Sequence, residues 1–319
     1  MNAPRQPPDH QVKLLLQTQC VLGEAPLYEP ATSTLHFVDI VKQQVLHFNT
    51  LTSDLSIDQL DEPVACLALR KEGKGLAVGA KRGFAILEPG PPARLEYLCQ
   101  PLPEHQVPHT RFNDGACDKK GRFLAGTLYH RQDPKFPGAL YSFDPKTNET
   151  KVLDDEAITD SNGLGWSVDG KTLYFTNSHL NHIYAYDYDL DTGMVANRRI
   201  FIDAIAQGLQ EGTFCDGLCI DSEGGIWSAR WGGGCIARFR GSDGTLDFVV
   251  SIPGALNVTA CSFGGLQNDL LYVTTAHCAP FAGAGDPALQ EQYPNSGDLF
   301  VVDFHGRFRG GEWRFAFGG

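Results

Sequence analysis

Six short β-rich runs recur along this chain, and their spacing constrains the fold more than any other feature. They read His36-Phe-Val-Asp, Leu76-Ala-Val-Gly, Phe123-Leu-Ala-Gly, Leu173-Tyr-Phe-Thr, Ile226-Trp-Ser-Ala and Leu271-Tyr-Val-Thr. Their starts lie about 40–53 residues apart, within the period of blade arrays. Turns rich in Gly, Asp, Ser or Lys precede them, such as Asp118-Lys-Lys-Gly and Asp221-Ser-Glu-Gly. A second series trails the first, including Val45-Leu-His-Phe, Phe84-Ala-Ile-Leu, Ile183-Tyr-Ala-Tyr and Leu299-Phe-Val-Val. Alternation and β-branched or aromatic content mark both series as strands. Further runs, such as Leu95-Glu-Tyr-Leu and Phe248-Val-Val-Ser, fill the gaps. The pattern predicts four strands in each of six units, an all-β six-bladed β-propeller.

An open ring would leave sheet edges bare. The sixth unit offers no fourth strand after Val302, so the N-terminal run Val12-Lys-Leu-Leu-Leu-Gln is predicted to close the ring as the outer strand of the last blade. Residues 1–319 are expected to form one domain, with residues 1–11 a poorly ordered tail and residues 281–295 a long loop at one face. The 35 glycines and 19 prolines argue against helix bundles, whose helices they would interrupt. The first ten residues carry no apolar signal-peptide core, and no run of about 18 apolar residues suggests a membrane span. Nine scattered cysteines without a CxxC pair read as free thiols in the cytoplasm. With 26 Lys and Arg against 38 Asp and Glu, the net charge is −12. That field repels a phosphate backbone, so no nucleic-acid partner is expected, whereas a metal ion is compatible with it.

In a propeller the first strand of each blade lines the central channel. Here those strands read Leu22-Gly-Glu-Ala-Pro, Val64-Ala-Cys-Leu-Ala, Arg111-Phe-Asn-Asp-Gly-Ala, Ser161-Asn-Gly-Leu-Gly, Cys215-Asp-Gly-Leu-Cys and Val258-Thr-Ala-Cys. Three share one step: Asp114-Gly115, Asn162-Gly163 and Asp216-Gly217. Singly, each would read as a turn. Each is followed within a few residues by a separate turn, however, which makes the step a strand end. Glu24, Asn113 or Asp114, Asn162 and Asp216 then converge on the axis. Oxygen donors of this kind suit hard divalent cations. Glu24 and Asp216, buried and facing each other, would repel unless a cation balanced them.

The same residues carry a resemblance to the SMP-30/regucalcin/gluconolactonase family. It rests on Gly23-Glu-Ala-Pro, Arg111-Phe-Asn-Asp-Gly, Gly121-Arg-Phe-Leu-Ala-Gly-Thr, Ser161-Asn-Gly-Leu, Cys215-Asp-Gly-Leu-Cys-Ile-Asp and Gly225-Ile-Trp-Ser-Ala. The resemblance implies a six-bladed propeller with one divalent ion (Ca, Zn, Mn or Mg) in the channel, and hydrolysis of sugar lactones to aldonic acids. It implies Glu24, Asn162 and Asp216 as metal ligands, and Asn113 as a residue that completes the metal shell or binds substrate. Arg111 is implied as a substrate-binding arginine and Asp216 as the catalytic carboxylate. Asp114 and Arg131 join the candidate substrate contacts. Arg131 lies close to where some vertebrate members carry an acidic contact after Gly-Thr. The expected partner is a small sugar lactone, with the chain a monomer or weak homo-oligomer that binds no membrane. Two other readings fit the same fold: a phosphotriesterase-like hydrolase, and a non-enzymatic calcium-binding regulatory propeller. Pro108 breaks the spacing of His105 and His109 as a zinc helix, and the Gly232 run has no Lys-Ser/Thr to make a phosphate loop.

Overall fold

The computed structural model describes residues 4–128, 136–281 and 285–319. Among them are six four-stranded antiparallel sheets. The inner strands of blades 1 to 6 are Gly23–Glu29, Val64–Ala68, Phe112–Cys117, Ser161–Trp166, Phe214–Ile220 and Asn257–Gly264. Each packs against the inner strand of the next blade, and blade 6 packs against blade 1, so the sheets form the predicted six-bladed propeller. The ring closes as expected. The third strand of blade 6, Leu299–Asp303, pairs antiparallel with Gln11–Leu16, in register Val12 with Val302 and Lys13 with Val301. Within the segment expected to be a tail, Arg5 N–H donates to Asp247 O at 2.8 Å and Arg5 Nε to Asp247 Oδ1 at 2.6 Å. This fastens it to blade 5. The stretch expected to be a loop at 281–295 contains one helical turn, Leu289–Gln292. Gln290 anchors it, accepting from Cys278 N–H at 3.0 Å and donating to Ser296 O at 2.9 Å. Among the described residues no helix is long and apolar enough to cross a membrane.

The Asp-rich turns that signalled the repeat have a structural task. Asp221 is fully buried, and its carboxylate accepts from Gly225 N–H, Trp227 Nε1 and Arg238 Nε, each at 2.8 Å. Asp118 does the same in blade 3. It accepts from Arg122 N–H at 2.9 Å, Arg122 Nε at 2.7 Å and Tyr188 Oη of blade 4 at 2.7 Å. Each carboxylate satisfies the tight turn and a buried side chain from one position, which removes the desolvation penalty that an unpaired buried charge would carry. Aromatic side chains fill the space around them. Trp227 stands among Phe248, Phe263, Phe304 and Phe308, with ring centroids 5.1–5.6 Å away.

Bulges interrupt the inner strands, and their placement matters for function. Pairing with the second strand slips between Glu24 and Leu27 in blade 1, between Phe112 and Gly115 in blade 3, between Ser161 and Leu164 in blade 4 and between Cys215 and Leu218 in blade 5. A bulge inserts an unpaired residue and re-aims its side chain. In blades 3, 4 and 5 the slip falls on the Asn/Asp-Gly step, so those steps are strand irregularities and not hairpin turns. Glycine is needed because the blades crowd together there. A Cβ on Gly163 would lie 2.1 Å from Leu218 N, and one on Gly217 would lie 2.5 Å from the Cβ of Ala260.

Ring closure is directly testable. A chain lacking residues 1–16 bares the edge of Leu299–Asp303 and should lose about 5 °C or more in Tm and self-associate, as read by calorimetry and light scattering. A monomer with the parent Tm would show that the N-terminal strand does not hold the ring.

Candidate functional site

The bulges of blades 1, 3, 4 and 5 bring their polar residues to one end of the central channel. Asn113 and Asn162 each stand second in their inner strand, Asp216 third, and Glu24 second. All four side chains are buried. Asn113 bridges blades 3 and 4, its Nδ2 donating to Ser161 O at 2.8 Å and to Asn162 Oδ1 at 3.1 Å. Asn162 Nδ2 donates to Ser178 Oγ at 2.8 Å, which turns its carbonyl oxygen toward Asn113. Arg111 Nη1 donates to Asn113 Oδ1 at 2.6 Å and to Phe112 O at 3.0 Å. The seam between blades 6 and 1 is tied beside Glu24, where Thr259 Oγ1 donates to Gly23 O at 2.6 Å. The structure therefore brings together Glu24, Arg111, Asn113, Asp114, Asn162 and Asp216. Arg131 lies outside the described residues.

Charge is concentrated here without being neutralised. Burial first, and then the charge of Asp114, push the Glu24 carboxyl up to about 8 against the opposing pull of Ala25 N–H and Arg111. Asp216 is raised well above the usual carboxylate range by burial and then by Glu24, Asp160 and Asp114. For Asp114 the rise is to about 6, through burial, opposed by Gly115 N–H and by Arg314. Glu24 and Asp216 each feel the charge of Asp114, and Asp216 that of Glu24. Arg111, the cation that acts on Glu24, makes its hydrogen bonds to Asn113 and to a backbone carbonyl. Its own pKa is lowered by burial, against the pull of Asp160, Glu24 and Asp216. Two carboxylates held this way need a positive charge between them to be ionised at neutral pH.

The donor chemistry fits a hard divalent cation: two carboxylates, Glu24 and Asp216, with the carboxamides Asn113 and Asn162, and no soft sulfur or imidazole ligand in the set. Among the described residues no group of three or more His, Cys, Asp and Glu side chains is spaced to hold a metal. Half of this candidate set is carboxamide. Cys215 and Cys219, on the strand that carries Asp216, face elsewhere. Arg230 Nη1 donates to Cys215 Sγ at 2.9 Å, and Cys219 Sγ lies 3.6 Å from Cys261 Sγ.

Asp160, Ser178 and Arg314 escaped the sequence reading. Asp160 stands two residues before Asn162 and adds negative charge to Glu24 and Asp216. His179 Nε2 lies 3.6 Å from its Oδ2, so His179 is engaged with a carboxylate. Ser178 orients Asn162. Arg314 comes from beyond the last blade. Only Asp160 carried a sequence signal, as an acid beside the Asn-Gly step.

Comparison with known proteins places the chain in a family. Residues 22–277 match the family model described as SMP-30/Gluconolactonase/LRE-like region. Regucalcin of Oryctolagus cuniculus is 34% identical over 297 residues, covering 92% of this chain and 94% of that protein. Regucalcin of Homo sapiens is 32% identical with the same coverage. A solved structure described as a calcium-binding protein, regucalcin, from Agrobacterium tumefaciens shares the fold, with a TM-score of 0.83 at 24% identity over 99% of each chain. The chain belongs to the SMP-30/gluconolactonase/LRE-like family.

The raised carboxyls have a consequence for stability. Glu24 binds its proton more tightly in the folded chain, so between its ordinary value of 4.5 and about 8 the folded state holds more protons than the unfolded one. Stability then falls as pH rises through that window. Metal-free protein should show a falling Tm from about pH 5 to about pH 8, and Glu24→Gln should remove much of that slope. Equal slopes in parent and variant would contradict the burial of an uncompensated carboxyl at Glu24.

Proposed function

We propose that this chain hydrolyses sugar lactones to aldonic acids, using a divalent cation held on the propeller axis by Glu24, Asn113, Asn162 and Asp216. One observation carries the reading: two buried carboxylates, both raised in pKa by burial and like charge, lie at the channel end that also holds Asn113, Asn162 and Arg111. A bound divalent cation would offset the carboxylates and supply Lewis-acid polarisation of the lactone carbonyl. Membership of a family whose description includes gluconolactonase supports the choice of reaction.

The chain's own residues supply the remaining chemistry. Asp216 accepts the proton of the water that attacks the carbonyl carbon, and then returns it to the ring oxygen as the acyl C–O bond breaks. The acid and the freed hydroxyl leave on one open-chain product. Arg111 presents donors in a planar fork suited to sugar oxygens, and its bond to Asn113 Oδ1 orients both side chains along the same wall. Asp114, which keeps partial solvent contact, accepts from a substrate hydroxyl. Burial of the centre removes water that would compete for these groups.

Turnover decides the matter. With aldono-1,4- and 1,5-lactones as substrates and acid release as readout, chelation should abolish activity and added cation should restore it. Asp216→Asn should lower kcat by about 100-fold or more, and Arg111→Met should act mainly on KM. An Asp216→Asn variant with parental kcat, or parental activity in chelator, would overturn the mechanism.

A further inference from the structure

The last residues of the chain lie outside the blade repeat, and they do not trail into solvent. From Arg309 to Gly319 the backbone runs across the end of the propeller opposite the candidate site, where the inner strands finish. On blade 5, Ser222 N–H donates to Arg309 O at 2.8 Å and Gly311 N–H donates to Ile220 O at 2.9 Å. On blade 6, Gly310 N–H donates to Asn268 O at 2.8 Å. Blade 4 follows, with Trp166 N–H donating to Trp313 O at 3.1 Å, then blade 3, with Phe315 N–H donating to Cys117 O at 2.9 Å. Phe317 N–H reaches Leu69 O after the inner strand of blade 2 at 2.7 Å. Ile220, Trp166 and Cys117 are the last residues of their inner strands. Trp313 and Phe317 are buried as anchors.

Among the described residues, the C-terminal segment hydrogen-bonds blade 1 through a side chain. Arg314 Nη2 donates to Pro26 O at 2.6 Å and to Ser262 Oγ of blade 6 at 2.7 Å, and its guanidinium stacks 4.6 Å from the centre of the Trp313 ring. Pro26 sits inside the bulge that presents Glu24, where pairing slips between Glu24 and Leu27 and Ala25 takes a left-handed φ of 51°. Ala25 has no glycine's freedom to hold that conformation, so the bulge is strained locally and must be held by its surroundings. Of the hydrogen bonds at its two ends, Thr259 Oγ1 secures Gly23 O and Arg314 secures Pro26 O. Both restraints come from outside blade 1. Burial lowers the Arg314 guanidinium to about 10, so it stays cationic at neutral pH, and its charge also reaches Asp114.

We infer that Arg314 is a positioning residue for the axial centre: the C-terminal segment delivers its guanidinium through the closed end of the channel to fix the Glu24 bulge, so the affinity for a divalent cation depends on a residue outside the ligand set. The inference rests on the reading of Glu24 as a cation ligand. It makes the C-terminal segment part of the site as well as a cap on the ring.

Calorimetric titration of the full chain with Mn²⁺ after chelation tests it, with Tm recorded in parallel. Arg314→Met should weaken Mn²⁺ binding about tenfold or more, since it removes the charge-assisted hydrogen bond to the bulge, and Arg314→Lys should recover part of the loss. Phe317→Leu, in the same segment but packed against blade 3, should lower Tm while leaving Mn²⁺ affinity within about twofold of the parent. Should Arg314→Met fail to fold, Arg314→Gln carries the same expectation. Parental affinity in a folded Arg314 variant, or an equal loss of affinity in Phe317→Leu, would overturn the inference. Glu24→Gln separates the two levels. If Glu24→Gln abolishes binding and the Arg314 variants do not weaken it, Arg314 alone is excluded. If Glu24→Gln binds like the parent, the reading of the centre fails, and this inference with it.

Discussion

Where six inner strands converge there is no room for a Cβ at Gly163 or Gly217, and that crowding governs the rest of the axis. Strands pressed so close cannot keep regular pairing with their own blades, and all six slip near their starts. Each slip frees a residue from the pleat and turns it inward. In three blades the freed residue is Asn or Asp followed by Gly. In blade 1 it is Glu24 followed by Ala25, which takes up the positive φ without a glycine. Backbone geometry therefore comes first, and the polar cluster is what it presents.

Inward-turned carboxylates then set the chemistry. Glu24 and Asp216 are buried and repel each other, and Asp114 and Asp160 add to the same field. Arg111 offsets it in part and is tied to Asn113, while Arg314 acts from the far side on Asp114. A set in which negative charge outweighs what the chain supplies suits the cation proposed for it. The same imbalance gives Asp216 a carboxyl that binds its proton more readily than usual. The net charge of −12 is spread mainly over the solvated surface, and the functional share is these few buried groups.

Much of this was legible in the sequence because the repeat imposes it. The spacing of the strand runs placed the six blades. The missing fourth strand of the last unit, together with the apolar alternation near Val12, pointed to the closing strand. The Asn/Asp-Gly steps were recognisable as strand features because each had a separate turn just behind it. What escaped was everything that reaches the axis from outside the repeat. Ser178 belongs to the connection after the second strand of blade 4, and Arg314 to a segment with no blade equivalent, so no periodicity marks either. Arg5 likewise lay in a stretch whose composition suggested a loose tail, yet its pairing with Asp247 depends on a blade 5 carboxylate more than two hundred residues away. Contacts of that range leave no local pattern to read.

The central claim is that Glu24 and Asp216 form one buried centre that requires a cation. Calorimetric titration of chelated protein with Ca²⁺ near neutral pH, repeated in two buffers of different ionisation enthalpy, measures both stoichiometry and proton release. The account predicts one cation per chain, bound with release of protons from the raised carboxyls, and loss of that binding in the Glu24→Gln/Asp216→Asn double variant. Binding without proton release, or undiminished binding in the double variant, would contradict it.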